Sequence, residues 1–271
     1  MHAPDRRYPP HSRGRGYRPP ARDGVAVRQL LPEPLDEVHP YDACRPDDPR
    51  GSLVRVNFIA SVDGSVTDRQ GRSGGLASAG DQAMFVALRA WSDAILVGAG
   101  TARTEGYGPH RLRPSLAQRR RADGRPNPAA MVLVTRSLKL DFGARIFTAA
   151  VTPTIVLTCA SAPPEGQQAA RRAGRLIVAG DKDVDLAEGL RRLREDYGLS
   201  HVLCEGGPRL TEATLEARQV DELCLTLAPA LLGHGGPRLV EHLGQSVPLR
   251  LQHLFDEGSE LYLRYRVGRS G

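Results

Sequence analysis

Two glycine-rich stretches have the composition of an anion cradle. They are Val97-Gly98-Ala99-Gly100-Thr101 and Glu205-Gly206-Gly207-Pro208-Arg209-Leu210, each following an apolar run and opening a helical pattern. Glycine lets the backbone approach a phosphate closely, and a helix N-terminus adds free N–H groups and positive dipole. Taken singly, each stretch is equally well a tight strand-to-helix turn. The dinucleotide fingerprint G-x-G-x-x-G is broken by Arg103 at its third glycine, which disfavours a standard Rossmann unit. A third stretch, Ala60-Ser61-Val62-Asp63-Gly64, reads as a strand running into a hairpin turn. The four cysteines, Cys44, Cys159, Cys204 and Cys224, form no C-x-x-C and no zinc spacing. Cys159, Cys204 and Cys224 sit in apolar runs and read as small buried thiols of a reduced, cytoplasmic protein, and no metal site is expected.

The elements that must hold these stretches follow from periodicity. Leu53–Ala60, Asp93–Val97, Met131–Val134, Thr154–Leu157, Leu176–Val178, His201–Cys204 and Asp221–Leu227 read as strands. Helices are expected between them. One is opened by a Ser78/Asp81 capping box, others lie near 165–173 and 186–197, and another runs from about Arg209 to Ala217. Leu249–Phe255 and Leu261–Val267 alternate like an antiparallel pair around Glu257-Gly258. The fold class is therefore α/β, one domain, with a mostly parallel sheet and antiparallel strands at its C-terminal edge. Residues 104–128 carry no apolar period and read as a long Arg- and Pro-rich loop. Arg119, Arg120, Arg121 and Arg125 in it read as a solvated face.

The 271 residues carry a net charge of +6. Most of it sits in residues 1–23, where six Arg face two Asp. Residues 1–51 read as an Arg/Pro/Gly-rich disordered tail, to residue 23, followed by a connector whose Val27–Leu31 and Tyr41 region could lie against the body. The tail alone would suit nucleic acid, but nothing later supports such a fold, so no nucleic-acid partner is expected. No run reaches the roughly 18 apolar residues of a membrane span, so no membrane partner is expected either.

In combination the motifs are more specific. Asn57-Phe58-Ile59-Ala60-Ser61-Val62-Asp63-Gly64, Ser73-Gly74, Leu88-Arg89, Asp93 to Thr101, Glu205 to Pro208 and Val220-Asp221-Glu222-Leu223 occur in one order. Together they resemble the RibD C-terminal family of riboflavin biosynthesis, over residues 52–268. Glu105-Gly106-Tyr107 and Val134-Thr135-Arg136-Ser137 further resemble its stand-alone actinobacterial branch. The resemblance implies a dihydrofolate-reductase-like fold, with helices on both faces of the sheet, and a homodimer. Asp221–Leu227 and the run Pro229-Ala230-Leu231-Leu232 could supply the dimer contact, or be ordinary sheet core. The deaminase motifs H-x-E and P-C-x-x-C are absent, so no deaminase zinc is expected.

Carried over position by position, Ala60, Gly75, Gly98, Gly100, Thr101 and Glu105 match an NADPH site. Gly206, Gly207, Pro208, Arg209 and Leu210 match the loop that holds its pyrophosphate. Thr135 and Arg136 fall on the adenosine side, where Arg136 could pair with a 2′-phosphate or be a surface charge. Ser73, Arg89 and Glu205 match substrate positions, and Arg111 or Arg113 falls near the substrate phosphate. Glu105 matches the first carboxylate of the family's Asp-Asp-Pro and is the candidate catalytic residue, for substrate positioning or proton relay. The implied reaction is NADPH-dependent reduction of the ribosyl group of 5-amino-6-(5-phosphoribosylamino)uracil. Reduction of dihydrofolate or another pterin is the alternative, and a non-catalytic nucleotide-binding protein is the alternative of another class.

Overall fold

Strands covered on both faces need apolar side chains at every position, not at alternate ones. Ala94-Ile95-Leu96-Val97 and Ala130-Met131-Val132-Leu133 meet that demand, and all eight residues are buried. The computed structural model describes residues 24–233 and 236–268. Its first elements are the strands β1 (Val27–Leu31) and β2 (Leu35–Val38), the helical turn α1 (Pro40–Ala43), and β3 (Leu53–Ser61). Then come α2 (Ala79–Trp91), β4 (Ala94–Gly98), α3 (Ala99–Thr104), α4 (Pro114–Ala122), β5 (Ala130–Val134) and α5 (Arg145–Thr148). The chain continues through β6 (Ile155–Thr158), α6 (Pro164–Ala173), β7 (Arg175–Val178), α7 (Leu186–Tyr197), β8 (His201–Cys204) and α8 (Pro208–Glu216). It ends in β9 (Glu222–Ala228), β10 (Leu249–Glu257) and β11 (Glu260–Val267).

Among the described residues all eleven strands form one sheet, ordered β2-β1-β10-β11-β9-β3-β8-β4-β5-β6-β7. From β9 to β7 every neighbouring pair is parallel. From β9 outward through β11, β10, β1 and β2 every pair is antiparallel. This is the α/β class with the antiparallel C-terminal addition that the sequence predicts. Leu96, Val132, Leu157 and Cys204 pack on one face with Leu190, Leu193 and Leu210 of α7 and α8. Ile95, Met131, Leu133 and Val156 turn to the other face, under Ala102, Ile146, Phe147 and Ala170. The alternation follows from the two-residue period of a strand.

Local signals act as expected at several helix ends. The Ser78 side chain accepts the Asp81 N–H at 3.0 Å and caps α2, which buries Met84, Ala87, Leu88 and Trp91. Asp185 caps α7 through the Glu188 N–H at 3.0 Å, and Gly198 ends it with φ +67°.

Three expectations are corrected. The segment before residue 52 is not a connector from residue 24 onward. It supplies two strands and a helical turn, and Val27, Tyr41 and Cys44 join the core around Met84 and Trp91. Tyr41 stacks on Trp91 at 4.6 Å, and the Trp91 indole N–H donates to the Tyr41 carbonyl at 2.6 Å. Residues 1–23 lie outside the described residues. Second, residues 104–128 are not all loop, since α4 lies within them. Its buried residues are Leu116 and Arg120, one helical turn apart. A buried arginine hides an amphipathic pattern. Third, the loop arginines are not all solvated. Arg119 and Arg121 are exposed, but Arg120 and Arg125 both pair with Asp93, at 3.3 and 2.6 Å. Arg120 also donates to the Ala90 and Asn127 carbonyls at 2.6 and 2.7 Å. In addition, β9 lies inside the sheet between β3 and β11, so the sheet-core reading of Asp221–Leu227 holds.

Candidate active site

In a parallel sheet the loops at the strands' C-terminal ends, where helices begin, are the usual place for a ligand. Here β4 and β8 lie side by side, and each ends in one of the two glycine stretches. The structure makes them one unit. The Gly98 N–H donates to the Gly206 carbonyl at 2.9 Å, and the Gly207 N–H donates to Thr101 Oγ1 at 3.1 Å. The peptide between Gly206 and Gly207 is cis. Both residues must be glycine. Gly206 has φ +82°, and a Cβ there would stand 2.7 Å from Phe58 Cζ. A Cβ at Gly207 would stand 2.5 Å from Thr101 Oγ1. Gly100 carries no such demand, because a Cβ there meets nothing within 4 Å.

α8 opens directly from this loop. Gly207 is its N-cap, Pro208 takes the first turn, no side chain caps it and no acid stands in its first turn. Arg209 is exposed beside Leu210, which is buried. Ala60 sits near the end of β3, paired with Leu227, and is buried. Bare backbone, a helix N-terminus and a cation fit a pyrophosphate. Gly75 shapes a neighbouring loop, because a Cβ there would fall 2.0 Å from Asp68 Oδ2. Ser73 begins the same short 3-10 turn and is half-buried.

Next to the cradle is a buried charge cluster. Arg89, in the last turn of α2, donates through Nε and Nη2 to the two carboxylate oxygens of Glu205, each at 2.6 Å. The side chains are 13% and 2% exposed. The Arg89 guanidinium lies 4.2 Å from the Phe85 ring centre and 5.4 Å from that of Tyr107. The Tyr107 hydroxyl donates to Glu205 Oε2 at 2.8 Å. Burial opposes the Arg89 charge, but the Glu205 carboxylate outweighs it and raises the Arg89 pKa. Burial, then the Glu205 charge, push the Tyr107 phenol far above its ordinary value, so it stays a donor.

The sequence singled out Arg89 and Glu205 separately, and the structure joins them to each other. It did not single out Tyr107 or Phe85 as site residues. The signals were a tyrosine between two glycines, and an aromatic one helical turn before Arg89. Glu105 is the exposed C-cap of α3 and enters the cluster through no described hydrogen bond. Arg111 is exposed and donates to the Ala149 carbonyl at 3.1 Å, at the end of α5. Thr135 accepts the Leu138 N–H at 3.1 Å just beyond β5. Arg136 forms an exposed pair with Asp183 at 2.5 Å. Asp63 is held far below the ordinary carboxylate range by the Ser61 hydroxyl and the Gly233 and Leu232 N–H groups.

Comparison with known proteins identifies the family and the fold. The chain matches the RibD C-terminal domain over residues 52–263. It is similar to a 2,5-diamino-6-ribosylamino-4(3H)-pyrimidinone 5′-phosphate reductase of Aquifex aeolicus, with 32% identity over 76% of this chain and 92% of that one. The namesake enzyme of Archaeoglobus fulgidus is 29% identical over 66% of this chain and 81% of its own length. Among solved structures, a pyrimidine reductase-like protein from Corynebacterium diphtheriae superposes with a TM-score of 0.75 at 28% identity, covering 86% of this chain and all of that one. The chain thus belongs to the RibD C-terminal domain family.

Proposed function

We propose that the protein is an NADPH-dependent reductase that converts the ribosyl group of a phosphoribosylaminopyrimidine, of the 5-amino-6-(5-phosphoribosylamino)uracil kind, to ribityl. One observation carries the reading: the joined Gly98–Thr101 and Gly206–Gly207 loops, with the uncapped N-terminus of α8, stand beside the buried Arg89–Glu205–Tyr107 cluster. An anion cradle next to a polar recognition group is what a hydride transfer between two bound molecules requires.

NADPH, when bound, supplies the hydride from C4 of its nicotinamide. The chain's own work is to hold and align. Gly206, Gly207 and the start of α8 would receive the pyrophosphate, with Arg209 adding charge. Ala60, Gly75, Gly98, Thr101 and Thr135 would line the rest of the cofactor site. Arg136 would leave Asp183 to meet the 2′-phosphate, an exchange that an exposed pair permits at small cost. Glu205, oriented by Arg89, would accept a pyrimidine N–H, while Ser73 and Arg111 would serve the phosphoribosyl end. Glu105 remains the candidate proton source, from the C-cap of α3. The reading includes a homodimer, for which Leu231, 77% exposed beyond β9, is available. It also includes a cytoplasmic setting for four buried free thiols.

The test is turnover. Loss of the reduced-nicotinamide absorbance with the pyrimidine nucleotide, and little or none with dihydrofolate, is the expected result. Binding of NADPH without turnover of any pyrimidine would overturn the reading. An Arg136→Ala chain should bind NADPH more weakly and NADH unchanged. Light scattering reads the dimer, and removal of residues 1–23 should leave turnover intact.

A further inference from the structure

Arg136 stands one strand away from the cradle. Gly98 pairs with Val134 across β4 and β5, and Arg136 follows two residues later. Its guanidinium donates to Asp183, which arrives from further across the sheet. β7 lies two strands beyond β5, and the segment after it folds back over the end of β6. Gly180, at φ +83°, makes that turn, and a Cβ there would stand 2.3 Å from the Asp183 carbonyl. The Ala160 and Ser161 N–H groups donate to the Gly180 and Asp181 carbonyls at 2.9 and 2.8 Å. The Cys159 thiol donates to the Lys182 carbonyl at 3.2 Å, and the Asp185 N–H closes the loop on the Ala179 carbonyl at 3.0 Å. The backbone that carries Asp183 is thus pinned beside Arg136. Their side chains are 74% and 69% exposed, open to a ligand from solvent.

We propose that Asp183 is a specificity-determining residue for the cofactor: it competes with the 2′-phosphate of NADPH for Arg136 and so lowers the chain's preference for NADPH over NADH. The inference rests on the reductase reading above and adds to it a residue that works against the phosphorylated cofactor. A 2′-phosphate meets Arg136 only by displacing the Asp183 carboxylate, so breaking the pair weakens NADPH binding alone. NADH carries a 2′-hydroxyl at that position. It needs no cation, and it can donate to a carboxylate. Arg136 and Asp183 together therefore set a ratio of two affinities. The pair is exposed, so its strength is modest and falls with salt.

The experiment measures NADPH and NADH affinities by calorimetric titration, without substrate. The chains are the wild type, Asp183→Asn, Asp181→Asn, Arg136→Ala and Arg136→Ala/Asp183→Asn. Asp183→Asn should tighten NADPH by about threefold without tightening NADH. The gain should shrink in high salt, and it should be lost where Arg136→Ala is already present, because no guanidinium is left to release. Asp181→Asn removes the same charge from an exposed position of the same loop and should leave the ratio of affinities unchanged. A ratio that Asp183→Asn does not move toward NADPH overturns the inference and leaves the reductase reading standing. So does an equal shift from Asp181→Asn, or a gain that survives in the Arg136→Ala background. A wild-type chain that binds neither nucleotide brings down the reductase reading, and this inference with it.

Discussion

Glu205→Gln is the sharpest test of the charge cluster. The substitution keeps the shape of the side chain and removes its charge. Arg89 is then left 13% exposed without its counter-ion, and one of its two donors faces an NH2 group in place of an oxygen. Stripping one partner from a buried ion pair costs about 3–5 kcal/mol. A chain of this kind has a total stability of about 5–15 kcal/mol, so the variant should fold but sit near its limit. At about 2–4 °C per kcal/mol for a domain of 150–250 residues, the midpoint should fall by about 6–20 °C. Thermal unfolding followed by circular dichroism reads this directly. The double variant Arg89→Met/Glu205→Gln removes the stranded charge and should recover most of the loss, because apolar replacement of a buried pair is often neutral. A midpoint within about 2 °C of the wild type for Glu205→Gln, a loss under about 1 kcal/mol, would refute the reasoning. So would a double variant less stable than the single one.

Other parts of the fold give their own tests. Burial lifts the Asp81 carboxyl from its ordinary 3.8 to about 7, so the folded chain keeps a proton that the unfolded chain releases. Wild-type stability should therefore fall as pH rises from about 4 to about 7 through this group, then level off. Asp81→Asn should gain stability over the wild type at pH 8 and lose that advantage near pH 4, read by denaturant unfolding at both. Arg120→Met removes a buried cation from Asp93 and two carbonyls. It should cost about 3 kcal/mol yet leave NADPH affinity alone, because Asp93 lies at the opposite end of β4 from Gly98. A chain beginning at residue 52 loses Val27, Tyr41 and Cys44 and uncovers Trp91. It should be far less stable and prone to aggregate, which size-exclusion chromatography would show.

The inner strands were legible because burial on both faces demands near-continuous apolar runs, as in Ala94–Val97 and Ala130–Leu133. β1 and β2 were not, because strands at the sheet's edge and next to it are short and need little apolar surface. β2 is exposed along most of its length, and the prolines around it read as a connector. α4 was hidden for a different reason: it puts an arginine on its inner face, and charge was read as solvent. At the site, each glycine loop was visible as residues, but their union depends on β4 and β8 being neighbours, although more than a hundred positions separate Gly98 from Gly206. In the sequence Tyr107 stands out only as the last residue of Glu105-Gly106-Tyr107. What the hydroxyl binds comes from Glu205, at a sequence distance of 98, where no local pattern reaches.

The antiparallel half of the sheet also dictates an order of events during synthesis. β1 pairs with β10, so Arg28 meets Asp256 across 228 positions of chain. The first strands to leave the ribosome can form only their own short hairpin, and must wait for almost the last ones. β3, in contrast, finds β8 and β9 earlier, so the cradle-bearing parallel half can assemble while the C-terminal hairpin is still being made. Pairing of β1 with β10 is then a late event, one of long sequence separation and correspondingly slow. Until it happens, an apolar face stays open to chaperones and to neighbouring nascent chains.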